Sequence, residues 1–206
     1  MIASRPVRMA AAAAAVVVVA VVAAVVWRAT RTDAYEFRGG EITPPRTAPP
    51  LDLVDQNGEP FTLAQEEGNV LLVYFGYTTC PDLCPTTLND FAIVKEELGE
   101  DGANVRYLLV TFDPARDTTE RLREYLGFFD PAFIGLRGTE EQTEAFKQAY
   151  GITTKRVEYP ESATKYLIDH TALIYVIDKQ GRLRLTYAYG TDPAAIVEDV
   201  RYLLAE

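Results

Sequence analysis

Metal-binding side chains are scarce in this chain: 206 residues include two cysteines, Cys80 and Cys84, and one histidine, His170. That scarcity rules out a zinc site built from four cysteine and histidine ligands. No cysteine lies between the N-terminal apolar run and Cys80, so a lipid-modified cysteine just after that run is excluded. No acidic residue precedes Asp33, and no internal repeat or low-complexity tract is visible. Basic residues are also in the minority. The whole chain carries −10, yet its first 31 residues hold four arginines and no acid; 16 basic against 30 acidic residues remain, a net −14. Such a surface repels nucleic acid and suits basic or cationic partners, although solubility alone accounts for most of these charges.

Met9 to Trp27 is an unbroken apolar stretch of mostly alanine and valine. As a helix it reaches roughly 28 Å, about one hydrocarbon core. Its length favours an uncleaved transmembrane anchor over residues 1–31. The weak hydrophobicity of alanine keeps a cleaved signal peptide as the competing reading. Arg5 and Arg8 sit on a short tail of the kind retained inside, while Arg28 and Arg31 flank the far side. The expectation is a single-pass protein of the cell membrane with its domain on the extracytoplasmic side. Disulfides persist there and metals are handled away from glutathione. Residues 32–50, with prolines, glycines and no apolar period, read as a linker. Residues 51–206 have the length of one ordinary domain.

Within that domain, "LDLVDQNGEPFTL" places two short apolar pieces around Asn57-Gly58, a hairpin signal. Val70–Tyr77 and Val105–Asp113 are continuous apolar runs of buried-strand type. Between them, Leu88, Phe91, Ile93 and Leu98 recur at roughly helical intervals up to Gly99. Asp117 and Glu120 suggest a capping box for a helix through Leu122, Tyr125 and Leu126. "AFIGLRG" reads as a short extended piece, Glu140–Tyr150 as a helix, and "KRVEYPESATKYLIDH" as an irregular hairpin excursion. Ala172–Asp178 and Arg182–Gly190 form a hairpin, and Asp192-Pro193 opens a last helix. This order predicts an α/β sandwich with a central mixed sheet flanked by helices. The cysteines then fall at the carboxyl end of the first long strand, the ligand-binding edge of open α/β sheets.

Each cysteine of "GYTTCPDLCPTTL" precedes a proline, which disfavours the helical region and predicts an extended or turning loop for both. Pro85 suits a first helical position and puts Cys84 at the cap, where free amides and the helix dipole favour a thiolate. Three roles are open. The pair could form a structural disulfide over a short loop. It could act as a redox pair, with three intervening residues where thioredoxins have two. It could ligate a metal. Two thiolates under-coordinate zinc but, with one imidazole, suit Cu(I). His170 is the one imidazole available, although a lone histidine is more often held in a core or loop by hydrogen bonds. Asp82, between the cysteines, reads first as a solvated loop carboxylate.

"GYTTCPDLCPTTL", "VTFDPARDT" and "YLIDHTALIYVIDKQGR" resemble, in order and spacing, the SCO/SenC family of copper-binding proteins for cytochrome c oxidase assembly. The resemblance runs from about Leu51 to the C-terminus. It implies a thioredoxin-like fold with an inserted hairpin, and copper held by Cys80, Cys84 and His170. It also implies delivery of copper to the dinuclear copper A site of oxidase subunit II, or reduction of that site's cysteines. Other copper chaperones or thiol reductants would then be further partners. Asp113–Thr118 matches a second family motif and is expected to shape the loop and cap the next helix. Two related patterns are absent. The stretch "IDHTAL" lacks the proline that catalytic thioredoxins place before the facing strand. Tyr77 and Val73 stand where peroxiredoxins have threonine and proline.

Overall fold

The computed structural model describes residues 20–23 and 35–206. Residues 20–23 are helical; the rest of the expected anchor, Met9–Trp27, lies outside the described residues. Among the described residues no helix is long and apolar enough to cross a membrane. The chain divides into residues 1–36 and 37–206, and the fold that follows is that of the second unit.

The main strands are β1 (Gly40–Thr47), β4 (Val70–Gly76), β5 (Val105–Thr111), β6 (Ile134–Leu136), β9 (Leu173–Ile177) and β10 (Arg182–Ala188). They form one six-stranded sheet in the order β1-β10-β9-β4-β5-β6. β4, β5 and β6 run parallel, while β9, β10 and β1 are antiparallel to their neighbours, so the sheet is mixed. Two short hairpins stand apart: β2 (Leu53–Val54) with β3 (Pro60–Phe61), and β7 (Thr154–Tyr159) with β8 (Lys165–His170). The helices are α1 (Leu83–Leu98), α2 (Thr119–Gly127), α3 (Glu140–Tyr150) and α4 (Pro193–Ala205).

Every residue of β4 is buried, as its unbroken apolar run requires of a strand covered on both faces. Successive side chains of a strand point to opposite faces. Phe75 meets Phe146 and Tyr150 of α3 at ring distances of 5.4 and 4.8 Å. Tyr74, on the other face, lies with α1 and its Cys84. Helices therefore cover both sides of the sheet.

Four expectations are corrected. The linker assigned to residues 32–50 contains an edge strand: β1 pairs with β10, and its register shifts between Glu41 and Arg46, around Pro44 and Pro45. An edge strand tolerates prolines that a central one would not, and the exposed run shows no alternation to betray it. Its entry is held by the buried Asp199 of α4, which accepts from Arg38 N at 3.0 Å and Gly39 N at 2.9 Å. Ile93 lies outside the core stripe, which uses Val94 instead. Asp117 does not cap α2. Thr118 does, accepting from Arg121 N, and this frees Asp117 for a buried role. Finally, the helix after the cysteine loop begins at Leu83, before Cys84.

Candidate metal centre

The cysteine loop leaves β4 at Gly76 and enters α1 at Leu83. Gly76 is needed there because a Cβ would stand 2.8 Å from Cys84 Sγ and 3.0 Å from Tyr74 Cε1. Cys80 N donates to Tyr77 O at 3.3 Å, turning the chain back on itself. The loop is also tied to the segment that follows the neighbouring strand β5. Asp117, fully buried, accepts from Thr78 N at 3.0 Å, from Thr78 Oγ1 at 2.6 Å and from Thr111 Oγ1 at 2.5 Å.

Cys84 occupies the first turn of α1 instead of the cap. Proline is tolerated at Pro85 because first-turn amides have no intrahelical partner to lose. The consequence for the thiols reverses the sequence expectation for Cys84. Its sulfur is fully buried, and that burial pushes its pKa up, as does the neighbouring Cys80. Cys80 is only half-buried. The hydrogen bond from Cys84 holds its pKa well below the ordinary thiol value. The backbone amides of Asp82 and Cys84 act in the same direction, against the opposing effect of burial. The amides at the helix start thus favour a thiolate at Cys80. Both cysteines are free, and the two shifts run in opposite directions, favouring the thiolate at Cys80 and the thiol at Cys84. The Asp82 side chain is exposed and caps nothing; its carbonyl accepts from Thr86 N.

His170 arrives from the other direction as the last residue of β8. Its Nδ1 lies 3.0 Å from the carbonyl oxygen of Thr171, which can only accept. Nδ1 therefore carries the proton, and Nε2 keeps a free lone pair. That Nε2 lies 4.0 Å from Cys84 Sγ. The ring packs against Phe112 at 4.8 Å, Tyr74 at 6.1 Å and Tyr77 at 6.2 Å, which restricts water on that side.

The Cys80, Cys84 and His170 ligand atoms all lie within 4.8 Å of one another. A trigonal site with bonds of roughly 2.0–2.3 Å separates its donors by about 4 Å, so a contraction of less than about 1 Å closes this one on an ion. Two sulfurs and one nitrogen in a partly dry pocket suit a soft ion of low coordination number. The sequence pointed to all three residues. The expectation that Asp113–Thr118 shapes the loop and caps the next helix agrees with the contacts of Asp117 and Thr118, but the individual partners of Arg116, Tyr77 and Tyr166 carry no mark in the spacing.

Residues 40–205 match the SCO1/SenC family. The chain belongs to that family. The match takes in β1, about ten residues upstream of the start expected from the motifs. A SCO2-like protein of Rickettsia felis is 37% identical over 148 residues, 72% of each chain. Among solved structures, Bradyrhizobium japonicum ScoI with copper bound superposes with a TM-score of 0.70 at 34% identity. That match covers 77% of this chain and 99% of the other. Yeast Sco1 with copper bound gives a TM-score of 0.70 at 29% identity, covering 79% and 90%. The α/β fold seen here is thus the Sco fold, with its mixed sheet and separate β7–β8 hairpin.

Proposed function

We propose that this SCO1/SenC protein binds copper through Cys80, Cys84 and His170 and carries it in the assembly of cytochrome c oxidase. The observation that carries this reading is the convergence of two sulfurs and an imidazole nitrogen within 4.8 Å, from segments 86 residues apart. Copper-bound relatives of the same fold support it. Copper is cargo here. Two thiolates leave a Cu(I) site at −1 and a Cu(II) site neutral, so both states are electrostatically tolerable. Binding displaces the thiol proton of Cys84 and weakens in acid. Cys80, the more exposed sulfur, is where an acceptor's own cysteine or histidine ligands enter for exchange. The proposed acceptor is the copper A site of oxidase subunit II. The proposed setting is the extracytoplasmic face of the cell membrane, with the domain held there by residues 1–31. The net −14 of the remaining chain favours cationic donors and acceptors, other copper chaperones among them. Anaerobic titration of the reduced full chain should saturate near one copper per chain. Undiminished binding after loss of either cysteine overturns the proposal.

One observation favours a second reading, reduction of the acceptor's disulfide. The pair is asymmetric: an accessible thiolate at Cys80 and a buried thiol at Cys84. Cys80 would attack the disulfide and release one acceptor thiolate. Cys84 would then resolve the mixed disulfide, releasing the second and leaving Cys80–Cys84 oxidised. His170→Ala separates the readings, because disulfide exchange should survive it while copper transfer should not.

A further inference from the structure

Among the described residues, β7 and β8 pair only with each other. His170 is the end of this separate arm, so the place of the imidazole depends on what fastens the arm to the body. Tyr166, Ile168 and His170 alternate onto one face of β8, and fastenings occur along that strand. Arg116 Nη1 donates to the carbonyls of Thr164 and Tyr166, each at 2.8 Å. The Tyr166 ring lies between two guanidinium groups, with Arg116 and Arg156 each 3.5 Å from its centroid. Its hydroxyl donates to Asp113 Oδ1 at 2.7 Å, and Arg116 Nε donates to Asp113 Oδ2 at 2.5 Å. Two residues on, Ile168 N donates to Tyr77 Oη at 3.0 Å. Between Thr164 and Tyr166, Lys165 sits at φ 60°. A side chain is disfavoured in that left-handed region, so the turn needs outside support.

Asp113 and Arg116 belong to the loop that also contains Asp117. That loop therefore holds both halves of the centre: Asp117 fixes the cysteine loop through Thr78, and Arg116 fixes the arm. We infer that Arg116 is a positioning residue for the third copper ligand, and that the loop Asp113–Asp117 sets the distance between imidazole and sulfurs. The bidentate grip on two arm carbonyls, with the stacked Tyr166, keeps His170 Nε2 over the thiols before any ion arrives. Without it the arm loosens, the imidazole no longer stays over the thiols, and the centre falls back to two sulfurs. The consequence for copper rests on the proposed function above; the consequence for the arm does not.

The test uses the full chain, metal-free and copper-loaded, with circular dichroism as a check of folding. In the metal-free protein, Arg116→Ala should raise amide hydrogen exchange across residues 154–170 about tenfold or more, while β4 and β5 stay protected. Copper affinity, from competition with a chromophoric Cu(I) chelator, should fall to that of His170→Ala. The double variant should bind no more weakly than His170→Ala alone, because both changes remove the same ligand. The nitrogen coupling in the Cu(II) spectrum should vanish, and the equilibrium of Cys80–Cys84 with glutathione should stay within about twofold. Arg116→Lys keeps the charge and one donor and should be intermediate; it carries the test if the alanine variant does not fold. Unchanged arm exchange, or wild-type affinity with nitrogen coupling intact in Arg116→Ala, overturns the inference while leaving copper binding standing. Wild-type protein that binds no copper, with arm exchange still raised in Arg116→Ala, refutes the copper reading and keeps the positioning role.

Discussion

The two sides of the metal centre are built differently. The cysteines sit where a fully buried strand meets the first turn of a helix, and the core holds them: Leu88 and Phe91 of α1 are wholly buried beneath them. The histidine sits on a hairpin outside the main sheet and is held by a few polar contacts and a stacked ring. Packing energy is large and cooperative, so the sulfur side should move only with the fold. Individual polar fastenings contribute about 1 kcal/mol each, so the imidazole side can move independently. The proposed carrier role needs that asymmetry, with a firm pair of thiols to retain the ion and a detachable third ligand to let it go.

The contrast can be broken most severely from the core. Phe91→Ala should cost about 3–5 kcal/mol of stability and lower the urea midpoint of the whole domain, the arm included. Gly76→Ala is the sharper probe of the same side. A single methyl there meets Cys84 Sγ and Tyr74, so stability should fall by about 1–3 kcal/mol, and copper affinity in a chelator competition should fall with it. His170→Ala reports on the other side. Thermal stability should drop by only about 1 kcal/mol, yet copper affinity should fall at least about tenfold.

The smallest effect concerns the loop joining the two sides. Burial raises the pKa of Asp117 above its ordinary 3.8, against the hydrogen bonds from Thr111 and Thr78 that lower it. The folded state therefore holds this proton to higher pH than the unfolded chain does. The stability it confers is fully present below about pH 3.8 and is lost as pH rises through the raised folded value. Urea midpoints across that range should show this slope in the wild type, and Asp117→Asn should flatten it.

This division also explains what could be read in advance. β4 and β5 announce themselves as unbroken apolar runs, and the α4 cap as Asp192-Pro193, because local burial and capping leave local patterns. Cys80, Cys84 and His170, the proposed ligands, were legible for a different reason: their side chains are chemically rare in this chain. β1 was invisible, since an exposed edge strand with two prolines carries neither alternation nor apolar content. Cys84 was misplaced at the cap because the preference of a residue before proline was set against burial, and burial won. The arm partners of Arg116 lie 48 and 50 residues away and are backbone carbonyls, which no spacing of side chains encodes.

Tyr77 gives the arrangement a mechanical consequence. Its carbonyl accepts from Cys80 N, while its hydroxyl accepts from Ile168 N on the arm. One residue is thus a crossbeam between the segment bearing the more exposed sulfur and the strand bearing the imidazole. A docking protein that pries the hairpin away pulls on this beam and loosens the turn at Cys80 in the same stroke. Letting go of the third ligand and unlocking the entry point for exchange then become a single movement.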